Sequence, residues 1–206
     1  MAVDGHRGPD VLSATEDMNG NALSSRGPAI ALLETSSIAK GIEATDAMMK
    51  RAGVELLMTT IVPRGKYLVL IGGMVADVEA SLRAGKDIAG STVVDEFLIQ
   101  NAHPQLPAAI KGRVKVPALV AVGIIETREV ASSIFAADAA VKAAEVTLIE
   151  ARNQPGAKGM VVLTGDVGAV RAAVAAGVAT IKREGMLIAE VVIPYAHEAL
   201  VKSLTS

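Results

Sequence analysis

Apolar and polar positions along this chain alternate between two rhythms. Short, nearly continuous apolar runs occupy 29–33, 54–60, 67–72 and 93–99. Runs of that length bounded by turn residues read as buried strands. Between them, Ile38, Ile42, Met49 and Ala52 recur at helical spacing within a predicted helix over 37–52, and a second helix is predicted over 75–89. Ser36 or Ser37 is placed to cap the first helix. Pro63-Arg64-Gly65 supplies the turn between the second and third strands. The predicted order is βαββαβ, the split βαβ arrangement of a four-stranded antiparallel sheet with two helices on one face.

The same order then returns. Strands are predicted at 118–125, 146–150, 160–164 and 187–193, with helices at 129–144 and 167–183. Thr127 and Asp166 are the N-cap candidates, and Pro155-Gly156 sits in the central turn. Sliding the sequence against itself by 92 residues matches Glu34–Gly85 without a gap, with 20 of 52 positions identical. Among the pairs are Glu34/Glu126, Asp46/Asp138, Lys50/Lys142, Pro63/Pro155, Lys66/Lys158 and Gly85/Gly177. A period this long marks a duplicated domain, since solenoid units run about 20–50 residues. The offset becomes 94 at Ile99-x-x-x-His103 and Ile193-x-x-x-His197, and a short helical tail follows each last strand. The expected fold class is α/β (α+β), two tandem ferredoxin-like domains over 28–106 and 117–206. Residues 107–116 are expected to be the linker, and the polar arm 1–27 is expected to be disordered.

Composition narrows the function. The net charge of −2 gives no electrostatic case for nucleic acid or an anionic membrane. Mean hydropathy is high at +0.43, yet no apolar run approaches the roughly 20 residues of a membrane span. Residues 1–27 have neither the basic nor the apolar region of a signal peptide. With no cysteine there can be no disulfide, thiolate metal site or cysteine nucleophile, which fits a reducing cytoplasm. No nucleophile, base and orienter form a constellation, so no enzyme, cofactor or metal is expected. Repeated carboxylates at Glu34, Glu126, Asp46 and Asp138 read as structural ion pairs or caps. His103 and His197 have no companions at metal-ligand spacing and read as hydrogen-bonding groups near the domain ends. Gly72-Gly73 and Gly165-x-x-Gly168 precede helices but match neither a dinucleotide fingerprint nor a Walker loop.

Glu126-Thr127, the stretch Ala137 to Val146, Thr164-Gly165-Asp166-Val167-Gly168 and Ile193-Pro194 with His197 resemble the signature stretches of the bacterial microcompartment (BMC) shell domain. The first copy carries weaker versions at Glu34-Thr35, 45–50, 73–75 and Ile99 with His103. The likeness covers nearly everything after the arm. The first copy is especially similar to the tandem, trimer-forming shell proteins of the propanediol-utilisation type. The resemblance implies a homotrimer with pseudo-sixfold symmetry, packed laterally against other shell proteins of a cytoplasmic microcompartment and passing small metabolites through a central pore. The pore-lining residues it implies are Val62, Pro63, Arg64, Gly65, Gln154, Pro155 and Gly156. The tile-edge residues are Lys50 and Lys142. Arg64 is expected to favour anions or polar neutral molecules. Some relatives of this type hold an iron–sulfur cluster at the pore through a cysteine; Val62 or Pro63 stands there in this chain. The family's Pro-Arg-Pro-His ending is replaced by Gln100-Asn101-Ala102-His103 and Pro194-Tyr195-Ala196-His197. A tandem ferredoxin-like regulatory protein binding a small ligand shares the same element order and is the competing expectation.

Overall fold

Period-two alternation lets the opening strand β1 (Ala29–Thr35) serve two apolar layers at once. Ala29, Ala31 and Leu33 pack with Met48, Val78 and Leu82 of the covering helices. Ile30 and Leu32 project to the opposite face, into a cluster that continues into the second half of the chain. The computed structural model describes residues 28–116, 120–156, 158–182 and 185–205. The arm 1–27 lies outside them, as do 118–119 of the predicted strand and residue 183 of the predicted helix.

The first domain continues with α1 (Ile38–Arg51), β2 (Glu55–Val62), β3 (Lys66–Gly73), α2 (Val75–Ala89) and, after a 3-10 turn at Gly90–Thr92, β4 (Val93–Ile99). The second repeats it as β5 (Ala121–Thr127), α4 (Val130–Ala143), β6 (Thr147–Gln154), β7 (Lys158–Gly165), α5 (Val167–Ile181) and β8 (Leu187–Pro194). Both sheets are antiparallel, in the orders β2-β3-β1-β4 and β6-β7-β5-β8. From β1 to the end of α2, every element recurs 92 residues later with the same bounds. The central hairpins outrun the apolar core of their strands, because pairing continues to Val62↔Lys66 and Gln154↔Lys158.

Helix α3 (Leu106–Lys111) and helix α6 (Glu198–Thr205) are the expected tails. Pro107 stands in the first turn of α3, where its missing N–H costs nothing. Residues 107–111 of the expected linker are therefore helical. Leu106, Ala109 and Ile110 bury into the cluster that joins the two domains, so the connection is a packed element.

Ser37 caps α1, accepting from the Lys40 N–H (3.4 Å). The second domain corrects the expectation for Thr127: the N-cap of α4 is Glu129, whose side chain makes no cap bond. Thr127 is buried and its Oγ1 donates to the Glu129 carbonyl (2.7 Å), as Thr35 donates to Ser37 (2.9 Å). Asp166 does occupy the N-cap of α5, but without a side-chain bond, like its counterpart Met74.

Two close approaches explain glycines. A Cβ at Gly177 would stand 2.6 Å from the Ala136 carbonyl, and one at Gly85 2.6 Å from Met48. These repeated glycines let each helix pair come together. A Cβ on Gly41 would meet Tyr67 at 2.6 Å, and one on Gly159 would meet Ser133 at 2.5 Å. Gly41 aligns with Ser133 and Tyr67 with Gly159. The same site is thus filled from the strand in one domain and partly from the helix in the other.

Candidate functional site

The two central turns adjoin within one chain. Ile61, Val62 and Pro63 face Asn153, Gln154, Pro155 and Gly156 across a depression of about 240 Å3. Asn153 Nδ2 donates to Thr60 Oγ1 across the domain boundary (3.3 Å). Val62 is buried beneath its turn, whereas Pro63, Arg64 and Gly65 are exposed. Arg64 and Gly65 both have positive φ, at 68° and 72°, as does Gly156 at 88°. Glycine adopts that region freely, but Arg64 pays for it in backbone strain. Gln154 is half-buried; Pro155 and Gly156 are exposed. The structure thus brings Val62 and Pro63 beside Gln154, Pro155 and Gly156, with Arg64 and Gly65 following in the same first turn.

Gln154 rests on a group that the sequence reading missed. Its Nε2 donates to Glu150 Oε1 (2.7 Å), and Glu150 is fully buried. Arg152 Nε donates to the same oxygen and Arg113 Nε to Oε2, both at 3.0 Å. Burial alone would raise this carboxyl's pKa. Hydrogen bonds from Arg113 and Arg152, with their charges, outweigh it and hold Glu150 below the usual carboxylate range. Arg113 also donates to the Ser203 carbonyl of α6 (3.2 Å). One carboxylate therefore ties together the connecting segment, the C-terminal helix and the second turn. The repeat offered no signal, because its counterpart is Met58.

The candidate edge lysines differ. Among the described residues, Lys50 pairs only with Asp46 (2.6 Å), on an exposed face. Lys142 Nζ donates to Asp138 (2.5 Å) and to the Asn101 carbonyl of the first domain (2.5 Å). Asp138 also accepts from the His103 backbone N–H (2.8 Å). Gln105 completes this seam, donating to the Val146 carbonyl (3.1 Å) and accepting from the Leu148 N–H (2.7 Å). The rings of Phe97 and Phe135 meet at 4.7 Å across it.

The remaining candidates are structural. His103 Nδ1 accepts from the Gln105 N–H (3.3 Å) and His197 Nδ1 from the Ala199 N–H (3.2 Å), so each imidazole organises the entry to a tail helix. Glu34 pairs with Lys66 and Glu126 with Lys158, both at 2.7 Å. Among the described residues no cluster of His, Asp and Glu could hold a metal, and no helix is long and apolar enough to cross a membrane.

These features define a pair of ferredoxin-like domains joined through a polar and aromatic seam, with two turns presented side by side. The BMC domain model matches residues 29–102 and 121–196, and the chain belongs to the family of bacterial microcompartment shell proteins. It is 41% identical over 174 residues to the bacterial microcompartment shell protein PduT of Citrobacter freundii, covering 84% of this chain and 95% of that protein. A carboxysome shell protein of Synechococcus elongatus, CcmK2, is 40% identical over 82 residues, which is 38% of this chain and 80% of that shorter protein. The crystal structure of a microcompartment protein from Desulfitobacterium hafniense superposes with a TM-score of 0.82 at 47% identity, covering 85% of this chain and 99% of that one. The chain is thus a shell protein with two BMC domains in tandem.

Proposed function

We propose that three copies close into a pseudo-hexameric ring that tiles a microcompartment shell, with the two turns of each chain lining a central pore for small metabolites. One observation carries this reading. Ile134, Asp138, Lys142 and Leu148 form the face of the second domain that meets the first. The first domain carries the identical residues Ile42, Asp46, Lys50 and Leu56 on the equivalent face. Ile134 and Leu148 are 0% and 1% exposed, whereas Ile42 and Leu56 are 54% and 39% exposed. Burying such a side chain is worth about 1.5–3 kcal/mol. A second copy's tail, around Tyr195 and His197, is the matching cover, since it repeats the element that seals the first interface. A contact between unlike faces propagates from copy to copy until the rotation closes it. Two domains per chain make three chains the count that completes six positions.

Lys50 and Lys142 stand at the rim of such a tile. Among the described residues, Lys142 has one N–H left after its two bonds and Lys50 has two, available to carbonyls of an adjoining tile. Pro63, Arg64 and Gly65 alternate around the axis with Gln154, Pro155 and Gly156, while Val62, expected among the pore residues, lies buried behind its turn.

Light scattering of the purified protein tests the ring: a mass of three times the 21.1 kDa chain is expected, with flat sheets in electron micrographs at high concentration. Ile42→Asp should leave single folded chains. A monomer in the unmodified protein, or a trimer persisting in that variant, would overturn the proposed closure.

A further inference from the structure

Behind the first turn lies a cleft of about 370 Å3, between Arg64 and Lys66 of the first domain and Arg128 and Glu129 at the start of α4. This is within the size range of small-molecule sites, about 300–1,000 Å3. Its apolar wall is made by Val62, Leu68 and Val130, all buried.

The internal repeat acts as a control on which of these groups are architectural. The Lys66–Glu34 pair recurs as Lys158–Glu126 at the same 2.7 Å, so it belongs to the domain. The other three charges do not recur. Arg64 aligns with Gly156, Arg128 with Ser36 and Glu129 with Ser37. Ser37 caps its helix; Glu129 makes no cap bond, forgoing an interaction worth about 1 kcal/mol. Arg64 holds a non-glycine residue at positive φ. Both positions give up local stability to bring charge to one cleft. Arg128 is steadied by its Nε, which donates to the Gly185 carbonyl (3.0 Å). Its terminal nitrogens make no bond among the described residues, and neither do the Arg64 guanidinium and the Glu129 carboxylate.

We propose that this cleft binds a small hydroxylated carboxylate. The two guanidinium groups take the carboxylate, for which their planar donors are suited. Glu129 accepts from the ligand's hydroxyl, and the short carbon chain lies against Val62 and Leu68. The site is contained in one chain, so it goes beyond the ring reading and stands or falls without it.

Calorimetric titration of the full chain with lactate, propionate and glycerol tests the assignment. Lactate is expected to saturate with a Kd of the order of 1 mM, propionate to bind about tenfold more weakly for want of the hydroxyl, and glycerol not to saturate. Arg64→Gly and Arg128→Ser, each installing the counterpart residue, should each weaken lactate by at least about tenfold. Glu129→Ser should retain binding but equalise lactate and propionate. Circular dichroism establishes that each variant is folded, and either arginine variant suffices if the other is not. The proposal is overturned if lactate fails to saturate, if propionate or glycerol binds as well to the unmodified protein, or if both folded arginine variants bind lactate unchanged.

Discussion

The two domains share the bounds of their elements from the first strand to the second helix, yet the second is the more buried of the pair. Its face of α4 and β6 is sealed by α3 and by the seam of Lys142, Asp138 and Gln105. The same face of the first domain, on α1 and β2, carries Ile42 and Leu56 in the open. Identical side chains thus occupy opposite environments. Among the described residues, only the second has a tail helix and connecting segment from the preceding domain packed against this face. The second comparison lies in the seam itself. Phe97 aligns with Val191, Phe135 with Glu43 and Gln105 with Ala199. The aromatic pair and the bidentate amide therefore serve the covalently tethered interface alone, and an interface between chains would have to do without them.

The sharpest way to break this equivalence is to charge the shared apolar face in each copy. Ile134→Asp should cost about 4 kcal/mol, because it buries an unpaired carboxylate. Ile42→Asp should change the chain's own stability by no more than about 0.5 kcal/mol, an exposed substitution. Chemical denaturation of the two variants reads the difference directly, and equal losses would show that the faces are not distinguished as described.

A smaller effect tests the swapped packing beneath the first helices. Gly41→Ser should cost about 2–3 kcal/mol by overpacking against Tyr67. Adding Tyr67→Gly, which copies the arrangement of the second domain, should recover part of that loss. A double-mutant cycle is expected to give a coupling energy of about 1–2 kcal/mol.

Acid exposes another asymmetry, because Glu150 has no charged counterpart. Its pKa is depressed in the folded chain. Its stabilisation is therefore complete above the unfolded carboxyl value of about 4.3 and is lost as pH falls from there through the folded pKa. Glu150→Met, which installs the residue found at position 58, should flatten that part of the acid limb in thermal melts. An unchanged limb would show that other carboxylates control it.

The lysines should give the smallest effects. Lys50→Ala removes one exposed pair and should alter stability by less than about 0.5 kcal/mol. Lys142→Ala also removes the bond to the Asn101 carbonyl and should cost about 1 kcal/mol. Equal values would mean that the bond across the seam contributes nothing.

Much of the molecule was legible in sequence because local physics and the repeat pointed the same way. The 75–89 helix and the 93–99 strand have the bounds that their periodicity implies. The α1 cap was narrowed to Ser36 or Ser37 because capping depends only on its own helix, and the structure places Ser37 there. Thr127 misled because a hydroxyl can bond the carbonyl two residues on as readily as cap a helix; burial of the threonine settled that choice. A helical tail was expected after the first domain's last strand, but its extent over Leu106–Lys111 was missed because the stretch from Pro107 read as linker, although proline in a first turn is compatible with a helix.

The candidate site divides in the same way. Duplication alone established that Pro63-Arg64-Gly65 and Pro155-Gly156 are equivalent, and that Lys50 and Lys142 share one position. The sequence by itself thus determined the element order, the two-domain plan and the matched turns, since each follows from period, spacing and identity along one dimension. Only the tertiary structure decided that the two turns adjoin, that Lys142 is engaged where Lys50 is open, and that Glu150 is a buried junction. It also decided that Arg64, Arg128 and Glu129 share a cleft. Those facts depend on contacts between residues tens of positions apart, where side chains from different elements meet and neither periodicity nor local propensity carries information.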